Sequence, residues 1–246
     1  MEGRVIIWFS CGAASAVAAK FGTEKYPDAH VVYCDLFYSE HPDNRRFFSD
    51  VERWIGKPIE IIRSTKFANI EESFEPKGYG NGGYMSGRYG AQCTREMKAY
   101  PRRDYQLPND LHIFGLCADE GNRIAKFEKH NPDLEFEWLL RDRDFTHKEC
   151  QELVASVIPL PAMYSLGFNN NNCIGCVKSQ SPAYWNRVRK YFPEIFQRRA
   201  EQSRRIGCRL IKIHGVRAFL DELPSDVEPE VESDIECGVI CAGSEE

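Results

Sequence analysis

Arg4-Val5-Ile6-Ile7-Trp8-Phe9-Ser10-Cys11-Gly12-Ala13-Ala14-Ser15-Ala16-Val17-Ala18-Ala19-Lys20-Phe21 carries the first decision about the fold. Residues 5–9 form a short apolar run of β-branched and aromatic side chains, the pattern of a strand buried on both faces. Residues 13–21 are alanine-rich and read as a helix. Between them lies a loop of small residues, 10–15. At a strand-to-helix turn, free backbone N–H groups and the helix dipole make an anion site. Small side chains let a phosphate approach the backbone, and Ser10 and Ser15 can donate hydroxyl hydrogen bonds. The loop has neither the Lys-Ser/Thr ending of a P-loop nor the GxGxxG spacing of dinucleotide folds.

Outward from this unit, residues 30–34 read as a second strand, 42–55 as a second helix, 58–62 as a third strand and 110–115 as a fourth. Strands alternating with helices predict an α/β fold, a doubly wound and mostly parallel sheet with helices on both faces. Ligands of such sheets sit beyond the carboxyl ends of the strands, at the switch point. Residues 77–87, rich in glycine and aromatics, are expected to form a surface loop or a substrate lid. The character changes after Pro161. The expected division is a nucleotide-binding domain over 1–161 and a small, helical, cysteine-rich metal-binding extension over 162–246. In the extension, 182–206 reads as one long helix or a helix pair, with Trp185, Val188, Tyr191, Phe192, Ile195 and Phe196 as core.

The 246 residues are 42% hydrophobic and 28% charged, an ordinary globular balance, and a net charge of −5 gives no global bias toward nucleic acid. No apolar run approaches the ~18 to 20 residues that span a bilayer. The first residues lack the apolar stretch of a secretory signal, so a cytoplasmic location is expected. There, ten cysteines are better read as metal ligands or catalytic thiols than as disulfides. Cys173-Ile174-Gly175-Cys176 has knuckle spacing, and Cys237 and Cys241 form a second close pair. Together they predict one four-thiolate centre, which by ligand count suits zinc and a 4Fe–4S cluster equally.

Cys93 stands apart. Arg95 and Lys98 follow it within five residues, and cationic neighbours favour a thiolate. It is expected to be a catalytic thiol or, second, a cluster ligand in place of Cys237 or Cys241. Cys11, Cys34, Cys117, Cys150 and Cys208 are expected to be packed as small hydrophobes, with Cys117 held in reserve because it ends a strand on the ligand edge. The histidines show no ligand-type pairing. The cationic residues of segment 187–205 (Arg187, Arg189, Lys190, Arg198, Arg199, Arg204 and Arg205) are either a solvated helix face or a phosphate-tracking surface for tRNA or DNA.

Four stretches occur in an order that resembles a known superfamily. They are the Ser10-to-Ser15 loop between strand and alanine-rich helix, and Cys34-Asp35-Leu36 followed by Glu40-His41-Pro42. The others are Cys93-Thr94-Arg95-Glu96-Met97-Lys98 with Pro101, and Gly115-Leu116-Cys117-Ala118-Asp119-Glu120-Gly121-Asn122-Arg123. Over roughly residues 4–125 the chain resembles phosphoadenosine phosphosulfate (PAPS) reductases and N-type ATP pyrophosphatases. The resemblance implies a PP-loop (HUP-like) fold that binds ATP or a PAPS-type adenine nucleotide. Ser10, Cys11, Gly12, Ala13, Ala14, Ser15, Asp35, Asp119, Glu120 and Arg123 would be its binding residues. It implies Cys93, Lys98 and Asp35 as catalytic residues, favours an iron–sulfur cluster over zinc, and would give magnesium, if used, Asp35 as ligand. It departs at Ala14, where ATP pyrophosphatases of this kind carry Asp.

The activity implied is adenylation of an acceptor, such as a nucleobase, followed by its thiolation from a sulfur donor. Its alternatives are a PAPS or adenylyl sulfate (APS) reductase forming sulfite, and a non-catalytic nucleotide-binding regulator with structural zinc.

Overall fold

The first strand, β1 (Val5–Phe9), lies at the centre of a five-stranded sheet. The computed structural model describes residues 3–75, 83–87 and 90–225. After β1 come α1 (Ala13–Lys25), β2 (His30–Cys34), α2 (Asn44–Ile55) and β3 (Ile59–Ile62). They are followed by β4 (Leu111–Phe114), α3 (Gly121–His130), β5 (Glu135–Glu137) and α4 (His147–Ala155). Two C-terminal helices, α5 (Pro182–Tyr191) and α6 (Pro193–Ile206), complete the main elements. The sheet order is β3-β2-β1-β4-β5 and every pairing is parallel, with Ile7 opposite both Val31 and Ile113. The chain steps outward from β1 to β3, then returns to β1's other side as β4. The order therefore reverses between β1 and β4, and the carboxyl ends of these two strands diverge around a crevice.

Both faces of β1 are buried, which is why its run is continuously apolar rather than alternating. Ile7 and Phe9, with Val31, Tyr33 and Ile113, pack against α1, α2 and α4. Ile6 and Trp8, with Val32, Cys34 and Phe114, pack against Ile124 and Phe127 of α3 and against Trp138. The alanines of α1 let it lie close on the sheet. A Cβ at Gly22 would stand 2.5 Å from Ile7 Cδ1.

A third core joins the β3–β4 segment to the C-terminal part. Leu36, Ile70, Phe74, Met85 and Met97 pack with Met163, Phe168, Tyr184, Trp185 and Leu220. Residues on either side of Pro161 thus share buried surface.

The helical segment 182–206 is a pair, broken at Phe192 because Pro193 cannot donate within a continuing helix. Trp185, Val188 and Phe196 are buried and Phe192 and Ile195 partly so, whereas Tyr191 is 39% exposed. Strand β5 has no counterpart in the sequence reading, since Glu135-Phe136-Glu137 is a three-residue edge strand with charged ends. The expected lid falls mostly on residues 76–82, and Cys237 and Cys241 on 226–246, outside the described residues. Among the described residues no helix is long and apolar enough to cross a membrane.

Candidate functional site

The loop between β1 and α1 is held by its own polar groups. The Ser10 N–H donates to Ser15 Oγ (3.1 Å), and the Ser15 hydroxyl donates to the Gly12 carbonyl (2.9 Å). Gly12 is extended and gives α1 no side-chain cap, while the Ala13 N–H reaches the Tyr164 hydroxyl at 3.3 Å. Cys11, fully buried, adopts φ +56°, a left-handed conformation that costs a non-glycine residue about 1–2 kcal/mol. Asn171 offsets this: its Nδ2 donates to the Cys11 carbonyl (2.6 Å) and to Asn44 Oδ1 (2.9 Å). The end of β4 presses on the same loop. A Cβ on Gly115 would fall 2.5 Å from Ser15 Cα, so only glycine permits this approach.

A cleft of about 710 Å³, including its open mouth, lies between this loop, the end of β4 and the asparagine run 170–172. Lys98, Arg123, Glu40 and Glu120 supply its charges. Both carboxylates are already engaged. Glu40 accepts from the Tyr33 hydroxyl (2.8 Å) and Asn44 Nδ2 (2.7 Å). Glu120 accepts from the Cys117 N–H (2.9 Å) and pairs with Arg123. Asn171 Oδ1 and Asn172 Nδ2 are buried without a hydrogen-bond partner among the described residues, although both residues line the cleft. Buried amide groups of this kind call for a ligand or water. The cleft widens outward past Asp119, Lys148, Gln151 and Asn169.

A second, much smaller and tighter pocket is lined by Cys93, Cys173 and Cys176, with Leu36, Phe74 and Lys98. The knuckle 173–176 turns at Gly175, whose φ of +70° suits glycine. Tyr184 locks it: its hydroxyl accepts from the Cys176 N–H (2.7 Å) and donates to the Cys173 carbonyl (3.3 Å). Cys93 lies in the first turn of a helical run from Gln92 to Tyr105 that is widened by a π-turn at Arg95–Ala99, a local feature frequent at functional sites. That run carries Lys98 to the boundary, where it lines both the cleft and the cysteine cavity.

Of the expected nucleotide-binding residues, Ser10, Gly12, Ala13, Ala14, Ser15, Glu120 and Arg123 line the cleft. Asp119 lines its outer part. Cys11 lies behind the loop, and burial, reinforced by nearby Glu40, pushes its thiol pKa well above the ordinary value. Asp35 does not line the cleft. Its carboxylate is bound to Arg63 (2.7 Å) and to the Phe37 N–H (3.2 Å), because β3 delivers Arg63 beside the end of β2.

Cys93 joins Cys173 and Cys176, the position of the alternative ligand. Cys34, Cys150 and Cys208 are packed as expected of small hydrophobes, and burial pushes the Cys34 thiol up to about 12. The sequence reading overlooked Tyr164, His147 and the cleft role of the asparagine run, for which the unusual repetition 169–172 was the available signal. In the cationic segment, Arg199 is buried against Glu71, Arg205 pairs with Glu75, and Arg204 pairs with Asp221. No protein-family model matches the chain, and no curated protein matches it.

Proposed function

We propose that the chain is an adenine-nucleotide-binding enzyme of sulfur transfer with a PP-loop-type site. The observation that carries this reading is Lys98, shared between the loop cleft and a pocket lined by three cysteines. The start of α1 faces the cleft with its helix dipole, and Lys98 and Arg123 line the same cleft, an arrangement suited to phosphates. The orphaned amides of Asn171 and Asn172 offer a donor and an acceptor to the rest of the nucleotide.

The cysteine cavity fits a metal centre on its own chemistry. Cys93, Cys173 and Cys176, from two segments of the chain, line one small, mostly apolar pocket, and Tyr184 holds the 173–176 turn through two backbone hydrogen bonds. Cys93, Cys173 and Cys176 would hold the group, with Cys237 or Cys241 outside the described residues as candidates for a fourth ligand. An iron–sulfur cluster there would supply an electron or a sulfur-binding iron. The residues around it have their own tasks. Lys98 balances negative charge between nucleotide and cysteines, and Leu36, Phe74 and Val177 exclude water.

Thiolation after adenylation is the leading chemistry, since adenylation converts a poor leaving group into a good one. A second reading is a PAPS or APS reductase in which no ATP is cleaved, and Ala14 leaves both readings open. Calorimetry with ATP, PAPS and AMP on wild type and Lys98→Met tests binding. Pyrophosphate release from ATP against sulfite release from PAPS separates the two chemistries. A protein that binds none of these nucleotides would end the proposal.

A further inference from the structure

Two helix starts face one another across the outer wall of the cleft. Cys117 precedes the turn Ala118–Glu120, and Glu120 folds back to accept the Cys117 N–H at 2.9 Å. His147 is the first residue of α4. It follows Thr146, whose side chain caps the Glu149 N–H while Glu149 returns to the Thr146 N–H at 2.8 Å. The Ala118 N–H donates to the Phe145 carbonyl (2.9 Å) and clamps the two starts together. Each contributes residues three apart, Cys117 with Glu120 and His147 with Cys150, so each pair projects to one side of its turn. The ligand atoms of Cys117, Glu120 and His147 all lie within 4.8 Å of one another. Cys117 Sγ stands 3.8 Å from His147 Nδ1 and 3.8 Å from Cys150 Sγ.

We propose that Cys117, Glu120 and His147 form a zinc-type divalent metal site on the wall of the cleft, with a fourth coordination position open to it. Tetrahedral zinc with Zn–S of about 2.3 Å and Zn–N of about 2.0 Å has an S···N edge of about 3.5 Å. The observed 3.8 Å needs only a small contraction. Thiolate, imidazole and carboxylate together suit zinc, whereas magnesium and calcium take oxygen ligands.

The surroundings already orient the ligands. Glu120 uses one oxygen on the Cys117 N–H and the other on Arg123, and each keeps a lone pair for a metal. Cys117 and Cys150 are fully buried, so access is from the side on which Glu120 and His147 line the cleft. A thiol that merely packs requires neither a carboxylate nor an imidazole at this range. Three protein ligands plus an open position is the arrangement of a reactive zinc site, able to take water or an anionic group entering the cleft. This site is separate from the cavity of Cys93, Cys173 and Cys176 and does not depend on the nucleotide reading.

The test is cobalt and zinc titration of the full chain carrying Cys173→Ser and Cys176→Ser, which removes the knuckle thiols. One cobalt equivalent is expected to bind, with a thiolate-to-cobalt charge-transfer band and the strong visible bands of a four-coordinate ion. Adding His147→Gln or Cys117→Ser should weaken binding at least about tenfold. Should the knuckle variant fail to fold, the comparison is made between wild type and His147→Gln, which must differ by one zinc equivalent. Cobalt binding unaffected by His147→Gln, or equal zinc content in wild type and His147→Gln, would overturn the site.

Discussion

Gly115 and Gly12 face the same loop, yet substitution should affect them in opposite ways. A methyl group at Gly115 would arrive 2.5 Å from Ser15 Cα, 2.6 Å from Ser15 N and 2.9 Å from the Ala14 carbonyl carbon, against a tolerable approach near 3.4 Å. All three are backbone atoms, so no rotamer change relieves the clash, and one side must retreat by about 0.9 Å. Neither side yields cheaply. The residue before Gly115 ends β4, which is laddered between β1 and β5, and Ser15 is tied to Ser10 and Gly12. Overpacking of this kind costs about 1–3 kcal/mol, and a chain of this size loses about 2–4 °C of Tm per kcal/mol. Gly115→Ala should therefore lower Tm by several degrees, and the shifted loop should weaken nucleotide binding at least about tenfold, or 1.4 kcal/mol. At Gly12 the added methyl meets nothing nearer than Tyr164 Oη at 3.9 Å, and its φ of −97° is ordinary. Gly12→Ala should keep the wild-type Tm, while the bulkier Gly12→Val should fill the phosphate position and abolish binding without unfolding. Circular-dichroism melting and calorimetry with ATP and PAPS read both quantities. A Gly115→Ala protein with wild-type Tm and affinity would refute the packing argument, and tight nucleotide binding by Gly12→Val would refute the phosphate role.

His112 is buried in a ring stack with Trp8 and Phe114, and its Nδ1 accepts from Trp8 Nε1 at 3.0 Å. Burial, aided by Arg102, depresses its pKa from the ordinary 6.5 to about 4. The unfolded chain binds the proton first. Stability should thus be complete above about pH 6.5 and fall by around 3 kcal/mol toward pH 4, a slope that urea melts of His112→Gln should lack. Asp43 is held below its usual carboxylate range by Arg46 and also accepts the Ala162 N–H. Its contribution is present above pH 3.8 and lost as pH falls through the lower folded value. Asp43→Asn should cost about 1–2 kcal/mol at pH 7 and flatten the acid limb of a denaturation series. Cys93→Ser should lose most of its iron when purified anaerobically, because Cys93 shares a cavity with Cys173 and Cys176; full iron content by metal analysis would return it to the role of free thiol. Asp35→Asn should leave nucleotide affinity within about twofold in calorimetry, since the carboxylate spends itself on Arg63, and a tenfold loss would restore it to the site.

The strand–loop–helix start, the parallel α/β sheet and the knuckle at Cys173 were legible in the sequence. Each is a local pattern: an apolar run, an alanine-rich helical stretch, a glycine between close cysteines. Local patterns do not state which strand lies beside which. That β4 inserts next to β1, over a hundred residues away, is a packing outcome, and it alone explains why position 115 must be glycine. The same holds for Asp35, which reads as a ligand-edge acid until β3 places Arg63 beside it. Cys93 meets the knuckle only because the β3–β4 segment and the C-terminal helices bury one shared core, an association driven by nonpolar area with no signature at short range. The sequence held Cys117 in reserve and gave His147 no ligand-type pairing, and the two stand thirty residues apart in the chain. The backbone bond from Ala118 to Phe145 sets their helix starts face to face, and that juxtaposition belongs to the tertiary structure alone.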